Sequence, residues 1–439
     1  MKQTEILRNL QIEEPTPMQL ATWKAYERPK DLVLLSPTGS GKTLAYLLPL
    51  VQHLDSQVEG VQAIVLVPTR ELALQTEAVF KRMATSFKAI SCYGGRPAMD
   101  EHRTMKGVQP SLIIGTPGRM NDHLRKQNIE AHTVKTLVID EFDKCLELGF
   151  QDEMSEVMAR LPRLEKRLLL SATDAKAIPD FVGIDEQKFV KLDFLPQEES
   201  NHRLDVRLVC SPQKDKLETL HKLLSTLEGR TTLVFVNYRE SVDRVVDYLK
   251  SRRFPCDRFH GGMEQEQRER ALYKFRNGST PVLISTDLAA RGLDIPGIEH
   301  VIHYHLPTNE EAFTHRNGRT ARWQATGTSY LILHSDEQLP QYVAEDLQPC
   351  LLPESPLKSP KPLWSTLYIG KGKKDKVNKV DIVGFLYKKG GLVPGEVGQV
   401  DVKEHYAFVA VKHNKLKQLL TLIRGEKIKG MKTLIEEAK

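Results

Sequence analysis

Short, uniformly apolar runs recur along this chain, separated by stretches with the 3.6-residue period of amphipathic helices. The first set lies at residues 32–35, 63–67, 112–114, 136–139 and 168–170. Runs that are apolar at every position, rather than at alternate ones, suit strands covered on both faces. Strands of that kind alternating with helices predict a parallel sheet in an α/β domain. The polar stretch LPQEESN at 195–201 interrupts the pattern and reads as a linker. A second set at 206–209, 233–236, 282–284, 301–304 and 329–333 then predicts a second α/β domain. The segment LLPESPLKSPKPLW is rich in Pro and Ser, which predicts an extended, poorly packed connection. Beyond it come a strand at 367–370, a helix at 380–386, strands at 397–402 and 406–411, and a helix at 415–423, a small α+β unit. The expected boundaries are therefore 1–195, 196–345, a linker at 346–363, and 364–439.

Composition changes this picture in two ways. With 439 residues, 40% hydrophobic and 27% charged, the chain is too long for one core but has the balance of an ordinary globular protein. No apolar run approaches the ~20 residues that span a bilayer. The opening MKQTEILRNL lacks the apolar centre and small-residue cleavage site of a secretory signal. The five cysteines (Cys92, Cys145, Cys210, Cys256, Cys350) form no CxxC pair. That argues against a zinc site or a disulfide framework and points to a reducing, cytoplasmic setting. The net charge of +6 is unevenly placed: residues 364–439 hold 16 Lys+Arg and 8 Asp+Glu (+8), leaving 47 and 49 (−2) for 1–363. A basic module on a near-neutral body suggests an anionic partner, nucleic acid before membrane. A solvated lysine face is the plainer alternative, and composition does not separate the two.

The strand at 32–35 runs into Ser36-Pro37-Thr38-Gly39-Ser40-Gly41-Lys42-Thr43. Gly39 and Gly41 allow backbone N–H groups to close around phosphate oxygens, with the next helix aiming its N-terminus at the anion. Lys42 supplies a point charge to the β/γ-phosphates and the Thr43 hydroxyl reaches Mg²⁺. Ser36 stands where the usual pattern has Gly, and a chance Gly-Lys-Thr turn is the alternative. Asp140-Glu141 ends the apolar strand at 136–139. An Asp-Glu pair is usually a solvated loop. Closing a buried strand in a chain with a phosphate loop, it reads as a magnesium acid (Asp140) and a base for attacking water (Glu141).

These motifs, in order from Pro15 to Arg322, resemble the DEAD-box branch of the superfamily 2 helicases. The resemblance implies two tandem RecA-like domains and an ATP- and Mg²⁺-dependent RNA helicase whose ATP hydrolysis RNA stimulates. Pro15-Thr16-Pro17-Met18-Gln19 is similar to the adenine-reading motif, with Gln19 on the base. Arg70, Gly94, Gly95, Thr116 and Arg119 fall on the family's RNA contacts in the first domain. Asp140-Glu141-Phe142-Asp143 takes the place of the eponymous tetrapeptide, and Ser171-Ala172-Thr173 that of the motif coupling hydrolysis to strand separation, which also implicates Asp143 and His315. In the second domain the resemblance puts RNA on Asn237, Gly261, Gln265, Arg268, Thr286 and Arg291, and ATP on Asp294. His315 through Arg322 resembles the last helicase motif, with Arg319 and Arg322 as arginine fingers. Fingers on a second domain make hydrolysis conditional on closure, and hence on whatever closes the domains. Three positions depart from the family: Phe142 replaces a small Ala, Ala321 a common Gly, and no aromatic precedes Gln19 in MKQTEILRNL. With all carboxylates kept, Phe142 implies altered packing rather than lost chemistry.

The β-α-β-β-α-β order of the last segment is that of an RRM, with Tyr368, Tyr406 and Phe408 on its central strands. These rings are either base-stacking groups or packed sheet residues. Ile382-Val383-Gly384, residues 398–402 and Ile428-Lys429-Gly430 resemble the C-terminal domain of the bacterial DEAD-box protein A (DbpA) group. That resemblance implies large-subunit ribosomal RNA as the partner, in ribosome assembly. Lys373, Lys374, Lys376, Lys427 and Lys429 are the expected RNA-facing charges. A low-turnover RNA clamp and a DNA helicase are the rival readings; no membrane partner is expected, and nothing requires a dimer.

Overall fold

The computed structural model describes residues 3–37, 39–95, 97–173, 178–184, 189–195, 204–289, 297–320, 327–343 and 347–438. They form two compact units, one from the described residues up to 195 and one from 204 onward.

The first unit is a seven-stranded parallel sheet in the order Ala89–Cys92, Leu112–Gly115, Ala63–Leu66, Thr136–Ile139, Lys166–Ser171, Leu32–Leu35, Val190–Asp193. Its continuous apolar runs follow from burial on both faces. Leu32, Leu34, Ala63, Val65 and Val138 face one core cluster, while Val33, Leu35, Ile64, Leu66, Leu137 and Ile139 face the other. Such residues contribute roughly 1.5–3 kcal/mol each when fully buried. The helix Gln3–Leu10 adds Ile6, Leu7 and Leu10 to the first cluster.

The second unit repeats the plan, in the order Cys256–Phe259, Val282–Ser285, Thr232–Phe235, His300–His303, Gly327–His334, Leu204–Ser211, Gln348–Pro349. The same unit carries the small four-stranded antiparallel sheet, Val397–Val402, Ala407–Lys412, Trp364–Ile369, Ile435–Glu437, backed by the helices Lys379–Lys388 and Leu416–Leu422. The two α/β sheets and the α+β module agree with expectation.

The connection between them does not. Gln348–Pro349 pairs in parallel with Leu204–Ser211, Cys350 and Leu352 pack on the core, and Leu357 N–H donates to Ser225 Oγ at 2.9 Å. The expectation of a poorly packed linker fails there because a proline at a sheet edge gives up no ladder bond toward solvent.

Sheet order sorts the motifs. In the first unit Gly94-Gly95, Thr116 and Arg70 follow three adjacent strands, and Asp140, Ser171 and Ser36 lie at or just past the ends of the next three. In the second, Gly261, Thr286 and Asn237 likewise follow three adjacent strands. Ligands of parallel sheets gather at these carboxyl ends.

Candidate functional site

The phosphate loop is built from two left-handed glycines, Gly39 (φ +82°) and Gly41 (φ +93°), the second capping the helix Lys42–His53. A Cβ on Gly41 would lie 2.7 Å from Gln19 Nε2, so only glycine fits. Gln19 reaches this point through a capping box at the start of the helix Pro17–Tyr26. Its N–H donates to Thr16 Oγ1 (3.3 Å), its Oε1 accepts from Thr16 N–H (3.0 Å), and its Nε2 donates to the Gly41 carbonyl (3.3 Å). Ser36 is fully buried and donates to Ser40 Oγ at 2.6 Å, which gives the unusual serine a role in closing the loop. Lys42 Nζ donates to the Ser36 carbonyl at 2.5 Å. Pro37 and Thr43 flank this cradle; Thr38 lies outside the described residues.

Asp140 is buried one residue beyond its strand, accepting from Glu141 N–H (3.0 Å) and Tyr46 O–H (3.3 Å). Burial pushes its carboxyl above the ordinary range, against the opposing charge of Lys42. Glu141 takes a left-handed backbone (φ +52°), unusual without glycine, and starts the helix Phe142–Glu147. Phe142 packs into the second core cluster with Ile139 and Met154. Its bulk is thereby spent on the core, and the carboxylates keep their places. Asp143 Oδ2 accepts from Thr173 Oγ1 at 3.1 Å, while Ser171 Oγ donates to the Thr173 carbonyl at 2.5 Å and accepts from its N–H at 3.1 Å. Two motifs far apart in sequence are thus one clasp.

Arg70 lies over the Gly94-Gly95 pair: a Cβ on Gly95 would sit 2.3 Å from Arg70 Nη1. Next to it, Arg119 Nη1 donates to Glu101 Oε2 (3.0 Å), which also meets His123 Nε2 (2.8 Å), while Glu101 Oε1 accepts from Tyr93 N–H (3.0 Å). Glu101 and His123, both buried, went unread in the sequence. No sequence spacing joins them: Glu101 lies on a different helix from Arg119 and His123, and only the fold makes them neighbours. Thr116 caps the helix Pro117–Arg125 that carries Arg119.

In the second unit, the fully buried Arg316 gathers the expected residues. It donates to Asn237 Oδ1 (2.8 Å), to the His305 carbonyl (2.8 Å) and to Asp287 (2.5 and 3.2 Å), over the Phe235 ring at 5.2 Å. Sequence reasoning emphasised Arg319 and passed over Arg316. His303 beneath it is wholly buried, and burial with the Arg316 charge brings its imidazole down to about 3. His305 falls to about 4, chiefly through burial and then Lys216. Arg239 was also missed. It opens a helix after a strand as Arg70 does, and lies 3.3 Å from where Gly261 would carry a Cβ. Gln265 and Arg268 lie on the helix Gln265–Arg276, with Arg268 5.6 Å from the Phe259 ring centre. Thr286 follows Val282–Ser285; His315 lies in the helix Glu310–Asn317, with Arg319 just past it. Arg291, Asp294 and Arg322 lie outside the described residues.

On the small module, Lys373, Lys374, Lys376, Lys427 and Lys429 are exposed. Lys429 Nζ donates to the Lys376 carbonyl (2.8 Å) and to Asp381 (3.2 Å), which merges the two lysine segments into one surface. Among the aromatics Phe408 is fully buried, the packed-sheet alternative. Among the described residues, no helix is long and apolar enough to cross a membrane.

Residues 16–181 match the DEAD/DEAH box helicase family model, 215–324 the helicase conserved C-terminal domain, and 366–437 the DbpA RNA binding domain. The ATP-dependent RNA helicase DbpA of Escherichia coli is 32% identical over 424 residues, covering 94% of this chain and 92% of that protein. DbpA of Bacillus subtilis is 28% identical over 98% of this chain and 96% of its own length. Among solved structures, yeast Dbp5 bound to RNA and ADP BeF3 aligns with a TM-score of 0.67 at 27% identity, covering 75% of this chain and 87% of that one. Mss116p bound to ssRNA and AMP-PNP gives 0.69 at 27% identity, over 76% and 72%.

Proposed function

Since this chain belongs to the DEAD-box family of ATP-dependent RNA helicases, with a C-terminal domain of the DbpA type, we propose that it unwinds short duplexes in large-subunit ribosomal RNA during ribosome assembly. Helicase activity and ATP dependence follow from the family. The ribosomal target rests on the single lysine surface made by Lys376 and Lys429 on a module matched to the DbpA domain.

The residues divide the work as follows. Gln19, Ser36, Pro37, Thr38, Gly39, Ser40, Gly41, Lys42, Thr43 and Asp294 hold ATP. Thr43 and Asp140 would hold Mg²⁺, and the fit is chemical: both offer hard oxygen donors, and burial makes the Asp140 carboxyl resist ionisation even beside Lys42, a cost that a further cation would offset. Bound there, the metal would neutralise charge on the phosphates. Glu141 takes the proton from the attacking water, and Arg319 and Arg322 stabilise the charge that develops. The clasp of Asp143, Ser171 and Thr173, with His315, couples hydrolysis to RNA. Arg70, Gly94, Gly95, Thr116 and Arg119 grip the RNA backbone in the first domain, and Asn237, Gly261, Gln265, Arg268, Thr286 and Arg291 in the second, joined by Arg239. Contacts of this type position a strand without reading bases. We place the domain limits at 1–195, 196–345 and 364–439, and take the protein as a cytoplasmic monomer.

The test is ATP hydrolysis with no RNA, generic RNA, large-subunit ribosomal RNA and DNA side by side. Ribosomal RNA is expected to stimulate at the lowest concentration. Equal stimulation by all RNAs would sink the targeting, and equal stimulation by DNA the substrate class.

A further inference from the structure

The sheet face that an RRM offers to bases is occupied here. Against it lies the helix Gln265–Arg276 of the second helicase domain. The Tyr273 ring stacks on Phe408 at 5.3 Å and 29°, and its hydroxyl donates to the Gln399 carbonyl. Arg270 lies 5.6 Å from the ring centre of Tyr368. Just past the helix, Asn277 Nδ2 donates to Thr366 Oγ1 at 2.9 Å, and Ser279 Oγ lies 2.9 Å from the same atom.

One residue of this helix touches both partners. Gln265, among the RNA contacts proposed for the core, donates through Nε2 to Glu269 Oε1 at 3.3 Å. Glu269 Oε2 accepts from Tyr406 O–H at 3.2 Å and pairs with Lys403 Nζ at 3.5 Å, which also meets Asp401 at 3.0 Å. The other amide atom, Gln265 Oε1, is buried and has no hydrogen-bond partner among the described residues. A buried acceptor left unsatisfied is unfavourable, so a donor brought in from outside the protein would be favoured there. An RNA 2′-hydroxyl is a donor of that kind.

We propose that the aromatic sheet face is a fixed mount on the second helicase domain rather than a base-stacking surface, with Glu269 as the positioning residue that ties the core RNA contact Gln265 to Tyr406 and Lys403. This rests on the reading that the C-terminal domain takes RNA, on its lysine surface. RNA held by that surface and RNA gripped by the core are then presented in one fixed geometry. Whatever fills Gln265 Oε1 also tightens the helix that bears the mount.

Two measurements on the full chain test it. The first uses ribosomal RNA fragments carrying 4-thiouridine, crosslinked by light. Crosslinks are expected in 371–376 and 427–432 and not at Tyr368, Tyr406 or Phe408. A crosslink to any of those three rings overturns the mount. Finding none anywhere in 364–439 overturns instead the reading that this domain takes RNA. The second is a double-mutant cycle in RNA-stimulated ATP hydrolysis. Glu269→Ala and Tyr406→Phe are each expected to raise the half-maximal RNA concentration about three- to tenfold. The double variant is expected to be no worse than the poorer single one, and Glu269→Gln to recover most of the loss. Absent or additive effects overturn the coupling.

Discussion

The guanidinium of Arg316 grips both carboxylate oxygens of Asp287, at 2.5 and 3.2 Å. Its remaining donors hold Asn237 and the His305 carbonyl, so one buried fork fixes the ends of three neighbouring strands. Lysine keeps the charge but lacks the fork, so it cannot hold all of these acceptors at once. Arg316→Lys is expected to destabilise the second domain by about 1–3 kcal/mol in denaturant unfolding through the Asn237 and His305 partners it leaves unmatched, and to raise the RNA needed for half-maximal hydrolysis. A variant as stable as wild type would show that the fork is dispensable.

Glu141→Gln keeps the left-handed turn and the shape of the side chain but cannot take a proton. Hydrolysis is expected to fall by roughly 10²–10⁴-fold with ATP still bound, whereas Lys42→Ala loses binding as well. Single-turnover hydrolysis beside fluorescent-nucleotide binding separates them. Wild-type turnover in Glu141→Gln would remove it as the base.

Asp140 should cost the ligand-free protein stability. Its folded pKa lies above the unfolded value, so the native state keeps this proton to higher pH than the unfolded chain does. Stability from this group falls as pH rises from the unfolded value through the folded one, so a cost is present once pH exceeds the unfolded value. Asp140→Asn is therefore expected to raise the melting temperature of the nucleotide-free first domain by about 2–4 °C for each kcal/mol recovered, while abolishing hydrolysis. Calorimetry at neutral pH decides the sign.

His303 acts in the other direction. It titrates at about 3 when folded and near ~6.5 when unfolded. Below the unfolded value the unfolded chain binds a proton that the native state refuses, so stability is lost as pH falls through that window. At pH 5 the loss is about 2 kcal/mol. Acid unfolding of the second domain, followed by denaturant midpoints from pH 7 to pH 4, should flatten in His303→Gln.

Much of this was legible because it is written in buried, uniform runs. The strands at 32–35 and 136–139 lie inside a sheet, and their motifs follow within a residue or two. The strands Ala89–Cys92, Cys256–Phe259 and Val190–Asp193 escaped notice because each is an outer strand with mixed polarity (AISC, CDRF, VKLD). Glu101, Arg239 and Arg316 escaped for another reason. Their roles exist only once the sheet has brought together segments with no sequence relation, as in the meeting of Arg316 with Asn237. The aromatic residues of the tail stayed ambiguous because a ring suited to stacking a base is equally suited to stacking Tyr273.

The docking of Tyr273 on Phe408 bears on how such a protein can be recombined. A tail joined only through its linker could be transplanted between enzymes like a bead moved along a string. This one would leave its counter-face behind. A chimera carrying only 364–439 would expose Tyr368, Tyr406 and Phe408 to solvent and invite aggregation. One that also takes the helix face bearing Glu269, Arg270 and Tyr273, with Asn277 just past it, carries the whole joint. The unit of inheritance is then the tail together with the helix it rests on.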